Sequence, residues 1–240
     1  MANSFFQFKQ FRIDQGLCGM KVTTDACLFG ALVAKEIKNK AEPASILDIG
    51  TGTGLLSLML AQSSLNSHIH ALEIDQDAFT QASFNFQNAP WSERLAIEQS
   101  AFQDFNSDPK FDLIISNPPF FSKNQLGESA KKNLAVHNDS LSIDQLATGV
   151  VNHLSKDGEL FLLYPPFEMG LFIEAGTRLN LFPNKIFDIK DSASKKVIRQ
   201  AVLFSSTQNK VQTTELVIKQ NDGNYTDAFI DLLKPYYLHL

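Results

Sequence analysis

Cysteine is almost absent from this 240-residue sequence, which contains only Cys18 and Cys27. Two thiols make neither a disulfide framework nor a cysteine-based zinc site, so a reducing cytoplasm is expected. The histidines show no HExxH or paired spacing, and no metal is expected. No apolar run approaches the roughly 20 residues of a membrane span. Lys9 and Arg12 interrupt the N-terminal apolar residues, so no signal peptide is expected either. We predict a cytoplasmic protein, active as a monomer.

Positive charge is also scarce, with 21 lysines and arginines against 26 acidic residues and a net charge of −5. Non-specific binding to nucleic acid depends on neutralising phosphates, so the surface as a whole is not expected to hold RNA or DNA. A local basic patch remains compatible with this balance. Lys131 with Lys132, and Lys195 and Lys196 with Arg199, form two such clusters, although either can equally be solvated surface.

The hydrophobic content of 44% and the twenty phenylalanines are enough for a folded core. Strand-length apolar runs alternate with helical patterns, which predicts an α/β fold with a parallel sheet covered on both faces. A turn is predicted at Lys156-Asp157-Gly158. The predicted strands are 44–49, 69–73, 95–98, 111–116, 159–164, 185–189, 197–205 and 213–219. The predicted helices are 24–38, 55–62, 77–87, 142–154, 167–179 and 225–233.

We expect a single domain over residues 1–240, because no linker, repeat or low-complexity tract divides the chain. Residues 1–43 are predicted to form an N-terminal segment and helix. Residues 44–180 are predicted to form the cofactor-binding and catalytic core, and residues 181–240 to add C-terminal strands and a helix.

Glycines at alternate positions connect the first core strand to a helix. They permit positive φ angles and close approach of a ligand, beside the free N–H groups of the helix N-terminus. The G-x-G-x-G spacing is neither the dinucleotide fingerprint nor a phosphate loop. With Asp48 ahead of Gly50, Gly52 and Gly54, the segment resembles motif I of Rossmann-like methyltransferases, which implies S-adenosylmethionine as the cofactor. An ordinary tight strand-to-helix turn is the alternative.

The ends of the next two predicted strands complete the expected nucleotide site. Glu73 places a carboxylate where both ribose hydroxyls can bind, and Asp77 is predicted to cap the following helix. Many methyltransferases carry an aspartate after the third strand that contacts the adenine amine of the cofactor. Ala101 stands at that position here, so backbone groups of Ala101 and Phe102, or the Ser100 hydroxyl, are expected to contact the adenine instead.

A buried strand ends in Asn117-Pro118-Pro119-Phe120, which we interpret as the catalytic segment. An exocyclic or amide nitrogen is a poor nucleophile because its lone pair is delocalised, and it becomes positive as a methyl group arrives. The Asn117 side-chain oxygen and the Pro118 carbonyl can accept hydrogen bonds from this NH₂ and stabilise the developing charge. The prolines fix φ, and Phe120 offers a face on which a planar base can stack. Catalysis is then expected to depend mainly on the orientation of the reacting groups, and no strong general base is required.

The catalytic segment, with motif I before it, resembles the N-methyltransferases of the Asn-Pro-Pro-Tyr/Phe type, which act on adenine N6, guanine N2 or protein glutamine N5. Phe8-Lys9-Gln10-Phe11, Met20 to Asp25 and Asn133 to His137 resemble the bacterial tRNA1(Val) adenosine-37 N6-methyltransferases. The resemblance implies a class I fold with a seven-stranded, mostly parallel sheet. It also implies that the protein uses S-adenosylmethionine to methylate N6 of adenosine 37 in tRNA1(Val).

The resemblance also implies roles for residues outside the two motifs. Lys21, Thr23 and Asp25 are implied to lie near the cofactor, although Asp25 can equally cap the helix that begins there. Val136 replaces the arginine of an expected Arg-His pair, so His137 is as compatible with a packed position as with substrate contact. The basic residues implied to contact RNA at the pocket rim are Lys9, Arg12, Lys21, Lys195, Lys196 and Arg199.

Three other functions stay open. A protein-glutamine enzyme usually carries a helical substrate domain before motif I, and only 45 residues precede Ile46. A guanine-N2 enzyme acting on ribosomal RNA often has an extra domain, which is not predicted here. A cofactor-binding but inactive RNA-assembly protein would explain Ala101, although the intact Asn117 to Phe120 segment counts against it.

Overall fold

A computed structural model describes residues 3–119 and 141–240 of the chain. The strands there are β1 (Phe5–Gln7), β2 (Arg12–Asp14), β3 (Ser45–Ile49), β4 (His68–Glu73), β5 (Leu95–Gln99), β6 (Phe111–Ser116), β7 (Leu154–Tyr164), β8 (Phe182–Ser192), β9 (Val197–Ser205) and β10 (Gln212–Lys219). The helices are α1 (Thr24–Lys38), α2 (Leu55–Ser63), α3 (Gln76–Gln87), α4 (Ile143–His153), α5 (Pro166–Arg178) and α6 (Asp227–Leu233), with a short 3-10 turn at Ser92–Arg94.

Strands β3 to β10 form one sheet in the order β10-β8-β9-β7-β6-β3-β4-β5, while β1 and β2 pair as a separate antiparallel hairpin. Within the large sheet only β9 runs antiparallel to its neighbours, between β7 and β8. The predicted α/β fold is therefore confirmed, and the sheet has the eight strands predicted from the apolar runs rather than the seven that the resemblance implies. The edge strand β10 pairs in parallel with β8 and buries Leu216 and Ile218 against the core.

Helices cover the sheet on both faces, as the strand–helix alternation predicts. The helices α1, α2 and α6, together with the N-terminal phenylalanines Phe8 and Phe11, pack in one hydrophobic cluster. The helices α4 and α5 contribute to the second cluster, with Leu47 and Ile49 of β3 beneath them. Because both faces are buried, the central strands β3 and β6 consist mainly of apolar residues, which is typical of parallel sheets.

The predicted turn at Lys156-Asp157-Gly158 is wrong, because these residues lie inside β7. The register between β6 and β7 is irregular there: Phe111 is paired with Leu154, whereas Leu113 is paired with Glu159. A Cβ atom on Gly158 would lie 2.9 Å from the Phe111 carbonyl oxygen. The glycine therefore permits a close approach between strands rather than a reversal of the chain.

The predicted cap of α3 is also corrected. This helix begins at Gln76, one residue earlier than predicted, so Asp75 is the N-cap. Its carboxylate accepts a hydrogen bond of 2.8 Å from the Ala78 backbone N–H. Asp77 lies in the first helical turn, where its negative charge interacts favourably with the helix dipole.

No helix in residues 3–119 and 141–240 combines the length and the apolar character that crossing a membrane requires. Across the same residues, no cluster of three or more histidine, cysteine or carboxylate side chains has a geometry that could hold a metal ion.

Candidate active site

The carboxyl ends of β3, β4 and β6 meet at one edge of the sheet, because these neighbouring strands are parallel. The N–H groups of Gly50 and Thr51 donate to the Leu72 carbonyl of β4, at 2.9 and 3.0 Å. The register pairs Ile49, at the end of β3, with Ser116, at the end of β6. The next residue, Asn117, therefore begins beside the glycine loop, which we define as residues 50–54.

The three glycines of this loop all have positive φ angles, 70° at Gly50, 58° at Gly52 and 83° at Gly54. A Cβ atom on Gly50 or Gly52 would meet nothing within 4 Å, so these two residues border open space at the cleft. A Cβ atom on Gly54 would lie 2.5 Å from a ring carbon of Phe86. The first two glycines thus form a cradle for a ligand, and the third allows the loop to pack on α3.

Asp48 lies beneath the glycine loop and has no solvent-exposed surface. Its carboxylate accepts hydrogen bonds from the hydroxyls of Thr51 at 2.6 Å and Ser57 at 2.7 Å. Burial raises the pKa of Asp48 to about 6, because desolvation disfavours the charged carboxylate. The structure therefore shows Asp48 supporting the loop from below rather than facing the cleft.

Glu73 connects the end of β4 to the glycine loop. One carboxylate oxygen accepts from the Gly52 N–H at 2.8 Å, and the other accepts from the Asp75 N–H at 3.0 Å. A carboxylate has about four lone-pair positions, so these two bonds leave capacity for further donors. The two hydroxyls of a ribose fit that remaining capacity, and the open cradle at Gly50 and Gly52 fits the rest of the nucleoside.

The residues predicted to contact the cofactor adenine are largely engaged with each other. The Ala101 carbonyl accepts hydrogen bonds from the Ser100 hydroxyl at 3.1 Å and the Asp104 N–H at 3.0 Å. The Phe102 ring is buried against Gly149 and His153 of α4. Neither the Ala101 N–H nor the Phe102 N–H has a hydrogen-bond partner inside the described segments, which is compatible with the predicted backbone contacts to the adenine.

Asn117, Pro118 and Pro119 leave the sheet directly from β6. Asn117 is half-buried, Pro118 is buried and Pro119 is exposed. Ser116, which is completely buried, donates its hydroxyl hydrogen bond to the Ile49 carbonyl at 2.8 Å. The predicted residues Phe120 and His137 lie outside the described residues, together with Lys131, Lys132 and the segment Asn133 to Val136.

The N-terminus of α1 is capped by Thr23, whose hydroxyl accepts from the Ala26 N–H at 3.4 Å. Asp25 is therefore not the N-cap residue, although its carboxylate accepts from the same Ala26 N–H at 3.1 Å. Asp25 instead lies in the first turn and forms an ion pair of 3.1 Å with the Arg199 guanidinium on β9. Lys21 is exposed, and its ammonium group approaches the Asn3 carbonyl at 3.5 Å.

The other predicted rim residues divide into two groups. Lys195 and Lys196 are exposed in the connection between β8 and β9, which lies at the same sheet edge as Asn117 because β8 is parallel to the core strands. Lys9 instead donates to the Lys234 carbonyl at 2.7 Å, and Arg12 forms an ion pair of 2.5 Å with Asp14.

Two buried polar residues of α3 were not singled out by the sequence interpretation. Gln81 and Asn85 are 6% and 2% exposed, and both bond to the N-terminal segment. They lie on the helix face predicted to be apolar, between Ala78, Ala82 and Phe86. A buried amide side chain needs hydrogen-bond partners. Two amides at predicted core positions therefore indicated that another segment of the chain bonds to α3.

The chain matches the family model described as Methyltransferase small domain over residues 29–168. A protein of Christiangramia forsetii named tRNA1(Val) (adenine(37)-N6)-methyltransferase is 40% identical over 244 residues, which cover 100% of both chains.

Solved structures show the same fold at lower sequence identity. A predicted O-methyltransferase of Agrobacterium tumefaciens has a TM-score of 0.65 and 18% identity, over 88% of this chain and 95% of that one. The glycopeptide N-methyltransferase MtfA, in a complex with S-adenosyl-L-methionine, has a TM-score of 0.52 and 14% identity, over 75% of this chain and 88% of that one.

The cofactor is S-adenosylmethionine, and the open glycine cradle with the Glu73 carboxylate is compatible with it. The family match covers the strands that carry this cradle and the Asn-Pro-Pro turn. The family match and the full-length similarity show that the chain belongs to the Methyltransferase small domain family. Within this family it groups with the relatives named tRNA1(Val) (adenine(37)-N6)-methyltransferase.

Proposed function

We propose that the protein methylates N6 of adenosine 37 in tRNA1(Val), the activity that its full-length relatives are named for. The observation that carries the chemistry is the pairing of Ile49 with Ser116. This register brings the glycine loop and the Asn117-Pro118-Pro119 turn to one cleft. A methyl donor held at the loop and a nitrogen held at the turn are then adjacent.

S-adenosylmethionine supplies the methyl group from its sulfonium centre. Asn117 and Pro118 accept hydrogen bonds from the two N–H groups of the adenine amine, which directs the nitrogen lone pair toward the methyl. Since the nitrogen becomes positive during transfer, these bonds strengthen in the transition state. The methylated nitrogen then loses one N–H proton to water, past the Asn117 side-chain oxygen. Gly50, Gly52 and Glu73 orient the cofactor, and backbone N–H groups after β5 contact its adenine, so the rate depends mainly on positioning.

The Asn117 turn is half-buried, so the target base must leave the stacked anticodon loop to reach it. We propose that Lys195 and Lys196 bind the flanking phosphates, because both are exposed at the edge where the turn lies. Arg199 is less exposed than these two lysines and forms an ion pair with Asp25. We therefore propose that it holds α1 against β9 beside the bound RNA and does not itself bind a phosphate. The predicted stacking and contact roles of Phe120 and His137 belong to the same proposal.

The substrate is tested with purified protein and labelled S-adenosylmethionine, in separate reactions with total tRNA, total ribosomal RNA and release factors from cells that lack the gene. N6-methyladenosine in digested tRNA1(Val) is the expected product, detected by nucleoside mass spectrometry. A tRNA1(Val) transcript with guanosine at position 37 is the matched control and should accept no methyl. Methylguanosine in ribosomal RNA, methylglutamine in a protein, or no transfer at all would support one of the three alternatives instead.

We also propose that the protein is a single-domain cytoplasmic monomer with the three segments predicted from the sequence. A tRNA substrate supports the cytoplasmic location. Size-exclusion chromatography with light scattering tests the monomer: a mass near the 26.7 kDa of one chain is expected, and a mass of twice that value would contradict it.

A further inference from the structure

Asn85 of α3 connects two parts of the chain that are distant in sequence. Its side-chain oxygen accepts from the Asp14 N–H at 2.9 Å, while its NH₂ group donates to the carbonyls of Asp14 at 2.9 Å and Thr53 at 2.8 Å. Asp14 ends the N-terminal hairpin and Thr53 belongs to the glycine loop. One buried amide, 2% exposed, therefore joins the N-terminus to the cofactor cradle.

Residues 14–22, which we call the N-terminal strap, are held by further buried amides. Gln81 accepts from the Leu17 N–H at 3.2 Å, and Gln15 accepts from the Val22 N–H at 2.9 Å. Removing a buried amide leaves its backbone partners without bonds in a place that water does not freely reach, which is costly. The strap is thus fixed by a few specific polar contacts rather than by a large apolar surface.

The strap lies beside α3, because its Leu17 N–H donates to Gln81 of that helix at 3.2 Å. Cys18, in its middle, is 7% exposed. Burial raises the pKa of its thiol to about 11, with smaller contributions from the charges of Glu73, Asp75 and Asp77. These charges act on the thiol because the strap passes close to the end of β4 and the start of α3.

We propose that Asn85 is a positioning residue: it couples docking of the strap to the conformation of the glycine loop, so that the cofactor cradle is complete only when the strap is docked. Asn85 does not contact the cofactor itself, because its hydrogen bonds go to Asp14 and Thr53. The coupling is reciprocal, since a ligand that binds better to the docked form must also favour docking. The inference depends on the S-adenosylmethionine site and not on the identity of the RNA.

The two cysteines allow strap opening to be measured in the unmodified protein. Cys18 lies in the strap, whereas Cys27 is completely buried in α1. N-ethylmaleimide labelling, followed by peptide mass spectrometry, gives a separate rate for each thiol. Saturating S-adenosylhomocysteine should slow labelling of Cys18 by about tenfold or more while changing Cys27 little, since local opening is faster than global unfolding. Equal rates at Cys18 with and without this ligand would overturn the proposal.

Asn85→Ala tests the residue directly. We expect Cys18 to be labelled about tenfold faster and the Kd for S-adenosylmethionine, measured by calorimetry, to rise about tenfold, as for the loss of buried hydrogen bonds. The kcat at saturating cofactor should stay within about twofold, because the catalytic turn is untouched. A change confined to kcat, or equal acceleration at Cys18 and Cys27, would contradict coupling through the strap.

Two further variants separate coupling from general damage to α3. Asn88→Ala makes the same chemical change at the exposed end of this helix, where the side chain donates to the Phe84 carbonyl of the preceding turn, and should change neither the labelling rates nor the cofactor affinity. Gln81→Ala removes a strap contact without touching the glycine loop, so Cys18 should react faster with a smaller loss of affinity than in Asn85→Ala. Cys18 labelling and cofactor affinity are measured with the cofactor or its product alone, so these two readouts stand even if the proposed RNA methylation fails.

Discussion

The hydroxyl of Ser116 donates a hydrogen bond of 2.8 Å to the carbonyl of Ile49, joining the residue before the catalytic turn to the residue before the glycine loop. Both residues are buried, and they face each other in the parallel register of β6 and β3. The bond holds the ends of β3 and β6 together, at the points where the glycine loop and the Asn117-Pro118-Pro119 turn leave the sheet. We therefore predict that this contact sets the distance between the methyl donor and its acceptor.

Ser116→Ala should lower kcat by about three- to tenfold with little change in the cofactor Kd, because a small misplacement of a reacting group is costly. Stability should fall by about 1 kcal/mol for the lost buried hydrogen bond. Ser116→Cys, of similar size and with a weaker donor, should be intermediate in both. Steady-state kinetics and denaturant unfolding measure the two effects, and an unchanged kcat in Ser116→Ala would contradict the positioning role.

Asn117→Ala should reduce kcat by about 10²-fold or more, since it removes one acceptor for the charge that develops on the nitrogen. Cofactor affinity, measured by calorimetry, should stay within about threefold, because Gly52 and Glu73 remain in place. Full activity in this variant would remove Asn117 from the mechanism.

Lys195→Glu combined with Lys196→Glu should weaken tRNA binding and reduce its salt dependence, because about two phosphate contacts are lost. Cofactor affinity should not change. Lys110→Glu combined with Lys156→Glu is the matched control, since these lysines are also exposed but lie near the starts of β6 and β7, at the opposite edge of the sheet. Filter binding at several salt concentrations compares the pairs, and equal tRNA affinity in both would exclude the proposed patch.

Asp48 should make stability depend on pH between about 4 and 6. Its pKa is raised from 3.8 to about 6 in the folded protein, so in this range the folded state binds more protons than the unfolded state. The free energy of unfolding therefore falls as pH rises through this window. Asp48→Asn should lose this component, and urea unfolding at several pH values measures it. Parallel pH profiles for the two proteins would show that Asp48 does not titrate as described.

The local elements of this protein could be predicted from sequence because their signals are local. Alternating apolar runs and helical spacing located the core strands to within a few residues, and the G-x-G-x-G and Asn-Pro-Pro patterns identified both sides of the cleft. Some details of these elements were nevertheless not predicted from the local sequence pattern. The cap at Asp75 rather than Asp77 depends on where the first helical turn closes, and the continuation of β7 through Gly158 depends on its irregular pairing with β6.

The sequence by itself determined the α/β class and the positions of the glycine loop and the Asn-Pro-Pro turn, because each is encoded by neighbouring residues with distinctive backbone requirements. Only the tertiary structure decided that Arg199 pairs with Asp25, that Asp48 is buried beneath the loop, and that Asn85 joins Asp14 to Thr53. These partners are 32 or more residues apart in two of the three cases. Which partner a buried amide or a charge finds depends on how strands and helices pack, and no local pattern contains that information.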